Sequence, residues 1–345
     1  MYIKSTGIIS PQPAFAEMLE NPVVYSGNRL TCIEPDYSKI LDPKLIRRMS
    51  HIIKMGVAAA MECLKEAGMD NPDAIITGTA YGCLADTESF LTKMVENKEE
   101  LLTPTAFIQS THNTVGAQVA LMLKCHNYNN TFVHRGFSFE NSLLDAITLI
   151  RDGEASNALV GGVDEITGIS HEILGRFGLY KNNDIISSAI YDNNDRGTIA
   201  GEGAAFFMLT GSDTGNSYAE LKALYTFYKP AGIDEIEKHI SAFLQEQNTS
   251  IEDIDLIICG KNGDPANDTV FNQVANGLFK EKEMLNYKHL CGEYPTSSAF
   301  ALWYAAHILK TGRIPGKESK AGPRSVLIYN HYQQIHHSLY LLRAC

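Results

Sequence analysis

The chain has no C-x-x-C pair and no block of Lys or Arg, and its longest apolar runs fall far short of the roughly 20 residues of a membrane span. Each absence removes a class of protein. The seven cysteines (Cys32, Cys63, Cys83, Cys125, Cys259, Cys291 and Cys345) are odd in number and scattered, which suits neither a disulfide framework nor a zinc site, so they are expected to serve mainly as small buried hydrophobes. A net charge of −11 without a basic run lacks the footprint that nucleic-acid binding needs. The opening MYIKSTGIIS has no apolar core of a secretory leader, so a cytoplasmic setting is expected. No low-complexity tract is present, and no metal or cofactor is expected.

What is present is ample material for a core. With 345 residues, 44% of them hydrophobic, the chain can form two ordinary domains or one large α/β unit. LDPKLIRRMSHIIKMGVAAAMECLKEAG predicts one long helix, with Asp42 as cap, Pro43 in the first turn and Gly68 as its stop. AIITGTA follows as a strand, DTESFLTKMVENKEE as a surface helix, and NTVGAQVALMLKC as a helix apolar on most sides and therefore inside. VHRGFSFENSLLDA reads as a short buried strand, a tight turn and a helix. Its Leu143, Ala146, Ile147 and Ile150 recur at helical spacing up to Gly153, ahead of the strand NALVGG.

RGTIAGEGAAFFMLTG is strand-like, and SDTGNS (Ser212 to Ser217) is the expected link between halves. The pattern then begins again: a helix from about Asp234 to Gln247, the strand IDLIICG, a helix from Asp268, a loop from Tyr287 to Pro295, a long helix over 296–311 stopped by Gly312, and the strands SVLIYN and HSLYLLRA. Two similar halves, 1–211 and 218–345, in which strands and helices alternate, predict a layered α/β architecture.

Several stretches together resemble one family. THNTVGAQVALML, then NTFVHRGFSFENSLLDAITLIRDGEASNALVGGVDE, is similar to the β-ketoacyl-acyl-carrier-protein synthases of the thiolase fold, whose pattern is N-x-x-x-G-x-x-A, then T-A-C-x-S-G opening a helix, then a strand ending G-G-x-[ED]. The match runs without a gap from 136 to 162, with Ser138, Gly153, Glu154, Ala155 and Asp164 in register. YDNNDRGTIAGEGAAFFML resembles the family's D-x-x-R-x-G-x-x-x-G-E-G-A segment. GKNGDPANDTVF stands where the family has H-G-T-x-T-x-x-N-D, and YKHLCGEYPTSSA where it has K-S-x-x-G-H-x-x-G-A-A-G. The resemblance implies an αβαβα layering of two similar halves.

Condensation by that family needs a thiolate to hold the acyl chain, two neutral imidazoles for the developing enolate, and backbone N–H donors for the oxyanion. The resemblance places the cysteine position on Gly136, the first histidine on Gly260 and the second on Glu293, whose carboxylate would oppose an enolate. Only the lysine survives, as Lys288, and it is expected to form a buried ion pair with Glu293. The family's glycine-rich N-x-F-G-F-G-G loop corresponds to NHYQQIHHS (Asn330 to Ser338), which has no glycine. Four of the five elements are therefore missing.

Substitute groups are few. Ser138 lies two residues past the vacated turn and could act as a nucleophile, although in the family a serine there is structural. His134 and Arg135 either fill space and hydrogen-bond near Glu293 or form a new acid/base pair. Of His331, His336 and His337, the adjacent two point to opposite faces of a strand, so at most one of that pair turns inward.

Within the family, such losses resemble chain-length factors. These ketosynthase-like subunits lack the cysteine, pair with an active ketosynthase and help to shape the tunnel for the growing chain in systems making aromatic polyketides, aryl polyenes or flexirubin-type pigments. Gly136 departs from the glutamine often found there. By this resemblance the expected partner is an active ketosynthase in a heterodimer paired through NTFVH, with docking of the acidic acyl carrier protein left to that partner. Phe132, Phe137, Phe139 and Thr198 are the expected tunnel or interface residues. The alternatives are a hydrolase or acyltransferase working through Ser138 or a loop histidine, and a homodimeric acyl- or carrier-binding protein.

Overall fold

A strand that is apolar at every position needs cover on both faces. Ala74–Gly78 and Gly203–Thr210 are buried throughout, and Asn157–Asp164 is buried at all but its first residue. These strands lie inside a ten-stranded sheet, seen in a computed structural model that describes residues 1–100, 102–213, 215–317 and 322–345. We number its strands β1 (Tyr2–Ile9), β2 (Ala74–Gly78), β3 (Tyr128–Phe132), β4 (Asn157–Asp164), β5 (Gly203–Thr210), β6 (Ala219–Tyr228), β7 (Leu256–Cys259), β8 (Met284–Asn286), β9 (Ser325–Tyr332) and β10 (His336–Arg343).

The spatial order is β8-β7-β9-β10-β6-β1-β5-β4-β2-β3. Two copies of one five-stranded pattern meet at β1 and β6, where the join is only Tyr2 opposite Glu220 and Ile3 opposite Ala219. In the first copy β2 runs parallel to β3 and β4, and β5 is antiparallel to β4 and β1. In the second, β7 runs parallel to β8 and β9, and β10 is antiparallel to β9 and β6.

Helices supply three layers. The central layer holds α6 (Ser138–Arg151) and α11 (Ser298–Thr311), packed in one cluster with Ile76, Val160, Phe207, Ile258 and Ile328 from both halves. Apolar residues occur all round α11, as befits a helix covered on every side. The outer layers are α2 (His51–Ala67) with α5 (Thr114–Leu123) on the first half, and α8 (Ile233–Glu246) with α9 (Pro265–Asn276) on the second. This is the thiolase-like αβαβα arrangement that the sequence resemblance implied. Of the expected link Ser212–Ser217, Thr214 lies outside the described residues.

Five local expectations change. The helix read over 42–68 is two helices, α1 (Pro43–Ile46), capped by Asp42, and α2, which ends at Gly68 with φ +64°. No residue of α1 is buried, so nothing holds it in line with α2, and Ser50 is extended between them. The helix read from Asp268 begins at Pro265 behind the cap Asp264, and the loop at 287–295 contains a short helix, α10 (Lys288–Cys291). The helix expected inside, α5, buries only Val115, Gly116 and Val119 and leaves Leu121 71% exposed, because it covers the sheet with one face. The strand read as buried at the start of VHRGFSFENSLLDA lies earlier, as β3, which ends at Phe132 and is the outermost of its half, with Val133 46% exposed.

Three further helices belong to the first half: α3 (Leu84–Glu96), α4 (Pro104–Gln109) and α7 (Gly168–Arg176). Six of the seven cysteines are buried and all are unpaired. Among the described residues no helix is long and apolar enough to cross a membrane.

Candidate functional site

The turn that ends in α6 is a single 3₁₀ turn over Arg135–Phe137, with Gly136 buried at its centre. A Cβ placed on Gly136 would lie 2.6 Å from Cβ of Tyr332 and 3.1 Å from Cβ of His336. Carbon atoms in ordinary contact stand about 3.5–4.0 Å apart, so no side chain of any kind fits while the hairpin stays where it is. That hairpin is β9–β10. The segment expected as the counterpart of a flexible loop is instead paired strand, with Asn330 opposite Ser338 and Tyr332 opposite His336. Gln333 and Gln334, both at φ +55°, make the turn.

The second vacated position is filled in the same way. A Cβ on Gly260 would fall 2.1 Å from Oδ1 of Asn330, the oxygen that accepts the Tyr287 hydroxyl at 2.9 Å. At the third position the Glu293 carboxylate accepts from Nζ of Lys288 at 2.6 Å and from Nδ2 of Asn262 at 2.7 Å. Lys288 also donates to the Ser297 hydroxyl. Their side chains are only 1% and 8% exposed, so each charge is compensated by the other and by hydrogen bonds. The backbone N–H groups of Asn262 and Gly263 both donate to Asp268, whose carboxyl burial pushes up to about 6.

The space left is a cavity of about 20 Å³ lined by Tyr180, Thr198, Asn262, Glu293 and Tyr332 among others. That is room for one water. Its lining includes no cysteine and no histidine.

The candidate side chains are placed as follows. The Ser138 hydroxyl is buried, donates to the Arg135 carbonyl at 2.9 Å and accepts the His134 N–H at 2.8 Å, with no imidazole among its partners. His134 pairs through Nδ1 with Asn141 at 2.7 Å. Neither His134 nor Arg135 touches Glu293, contrary to the space-filling role expected of them, because the turn directs them to the outer surface. Of the two adjacent histidines, His336 packs edge-on against Phe137 with ring centres 4.7 Å apart, and His337 faces away, stacked on Phe227. His331 stacks on Phe271 at 4.3 Å. Burial holds the His331 and His337 imidazoles well below their ordinary range.

Thr198 lines the small cavity and donates to the Asn262 carbonyl. Phe139 is fully buried in the central core, 5.7 Å from Phe207. Phe132 is half-buried on β3, and Phe137 is buried beside His336.

One feature escaped the sequence reading. An apolar groove of about 450 Å³ runs between α3 and α7, lined by Tyr81, Leu84, Leu91, Ile169, Ile173 and Leu174. Its signal was present as Leu84 and Leu91, and Ile169 and Ile173, at helical spacing along one face of each helix.

The family model described as β-ketoacyl synthase, N-terminal domain, matches residues 8–214. No curated protein matches the sequence. Three similar solved structures each cover all of this chain: the ishigamide ketosynthase/chain length factor (17% identity, 98% of that chain, TM-score 0.83), a type II polyketide synthase acyl-carrier protein in complex with its ketosynthase bound to the hexaketide (14%, 99%, 0.77), and a β-ketoacyl synthase from Burkholderia phymatum STM815 (14%, 99%, 0.81).

Proposed function

Since the chain belongs to the β-ketoacyl synthase family, we propose that it is a non-catalytic subunit of chain-length-factor type that pairs with an active ketosynthase in a polyketide or aryl polyene pathway. The observation that carries this reading is the filling of the vacated site. Tyr332 and His336 occupy the space of a nucleophile at Gly136, and Asn330 that of an imidazole at Gly260. A site that had merely lost one group would keep its cavity.

The surface supports a partner. The outer edge of β3 presents backbone groups in the manner of an unfinished sheet. Leu91 (47% exposed) and Val95 of α3, Phe107 (58%) and Ile108 of α4, Leu121 of α5, Ile169 of α7 and Phe177 just after it expose apolar side chains on this same half. So much exposed apolar surface is characteristic of an interaction face. The apolar groove between α3 and α7 would then form one wall of an acyl tunnel that the partner completes. With a net charge of −11, the chain leaves recruitment of an acidic carrier protein to that partner. A hydrolase reading finds no support in Ser138, whose hydroxyl is engaged by backbone on both sides.

The test is co-expression of the full chain with a Cys-His-His ketosynthase from the same genome. A mixed dimer by native mass spectrometry, with malonyl thioester turnover only in that dimer, is the expected result. Turnover by the chain alone, or refusal of every such ketosynthase, overturns the reading.

A further inference from the structure

We propose that the cleft on the outer side of the vacated turn binds a small organic anion, a carboxylate or phosphate borne on a flat unsaturated body. Three segments meet there. Val133 to Arg135 and Phe137 come from the turn, Tyr228 and Lys229 from the end of β6, and Tyr332, Gln333, Ile335 and His336 from the β9–β10 hairpin, around a cleft of about 720 Å³. That is within the size range of small-molecule sites.

The charge of the lining is opposite to that of the chain. Acidic residues outnumber basic ones by 40 to 29, yet none of the residues lining the cleft is acidic. Arg135 and Lys229 are both exposed, and among the described residues neither makes an ion pair. A planar guanidinium fork beside an ammonium group suits carboxylate or phosphate oxygens. Burial, with a smaller contribution from the positive charges of Arg135 and Lys229, holds the His336 imidazole on the cleft wall below its ordinary range.

The rings supply the second half of the recognition. His336 has Phe137 at 4.7 Å and Tyr228 at 5.3 Å, and Lys229 Nζ stands 5.1 Å from the Tyr228 ring centre. Such a wall accepts a flat unsaturated group by stacking or edge contact.

Three of the eight non-glycine residues with positive φ among the described residues also lie here. Arg135 and Lys229 at φ +50° and Gln333 at φ +55° are in the left-handed region that non-glycine residues seldom adopt. All three line this cleft. The Lys229 N–H bonds the Ile335 carbonyl at 2.8 Å, which ties the end of β6 to the hairpin and holds the cleft in shape. Strained residues of this kind concentrate at ligand clamps.

This inference stands apart from the subunit reading, since it concerns the isolated chain. Calorimetric titration of the full chain with phenyl phosphate at low salt is the test, with inorganic phosphate and benzyl alcohol as the half-ligands. Saturable binding of phenyl phosphate is expected, weaker by about tenfold or more for either half-ligand and for Arg135→Gln or Lys229→Gln. Both variants should keep the unfolding midpoint of the parent, because both side chains are exposed. No saturable binding, or binding that persists in the Arg135→Gln/Lys229→Gln double variant, overturns the proposal. Inorganic phosphate or benzyl alcohol binding as tightly as phenyl phosphate overturns it too.

Discussion

Restoring the missing thiol is the most direct challenge to the idea that the site has been filled. In Gly136→Cys, the new Cβ would stand 2.6 Å from Cβ of Tyr332 and 3.1 Å from that of His336. The first distance is about 1 Å short of van der Waals contact, before Sγ is added. Both opposing atoms are the first carbons of residues held in the β9–β10 ladder, Tyr332 at 7% exposure, so neither can swing aside as a side-chain tip would. Overpacking of this kind costs about 1–3 kcal/mol, and we expect the upper end.

The single tryptophan, Trp303, is 2% exposed in the central layer and reports urea unfolding by fluorescence. Gly175→Ala in α7 is the control. Nothing lies within 4 Å of its new Cβ, and alanine in a helix is favoured by about 1 kcal/mol. The expected outcome is a lowered midpoint for the cysteine variant, an unchanged or raised one for the control, and no condensation activity in either. A Gly136→Cys protein that unfolds like the parent, reacts promptly with iodoacetamide at that thiol and condenses malonyl thioesters would refute the reasoning.

Other outcomes follow from the same geometry. Lys288→Met leaves the Glu293 carboxylate buried without its cation and should cost about 3–5 kcal/mol in urea unfolding, part of which Lys288→Met/Glu293→Gln should regain. His51 lies between Glu202 at 3.0 Å and Glu34 at 2.9 Å, and the hydrogen bond to Glu202 is the main cause that raises its imidazole to about 9. A base raised in the folded state contributes stability that is complete below pH 6.5 and lost as pH climbs through 9. The amount is at most about 3 kcal/mol, less what solvent screens at a side chain 30% exposed, and unfolding midpoints of His51→Gln should be flatter over that window than those of the parent. Leu121→Glu, on the exposed side of α5, should prevent formation of the mixed dimer while leaving the chain's own unfolding midpoint unchanged.

Much of the site was readable before any coordinates, because it is defined by what residues lack. Glycine at 136 and 260 and a carboxylate at 293 cannot supply a thiolate or an imidazole, whatever surrounds them. The adjacent pair His336–His337 had to split between faces, and it does. What misled the reading was context. NTVGAQVALMLKC looked interior because apolar composition does not distinguish a face buried within one chain from a face left for another. NHYQQIHHS was aligned with a loop, yet its backbone closes a β-hairpin at two left-handed glutamines. Phe139 looked like a tunnel residue because helical phase alone does not say which of two layers a side chain enters.

Period and spacing along the chain were enough to set the alternation of strands and helices and the two matching halves, and the family resemblance added the absence of the reactive groups, since these depend on local propensity and on residue identity. Only the folded arrangement decided that the emptied positions are occupied by Tyr332, His336 and Asn330, that α5 covers the sheet with one face and exposes the other, and that Arg135, Lys229 and three rings share one cleft. Those facts depend on contacts between segments far apart in the chain, where a shift of about one ångström separates an open cavity from a filled one.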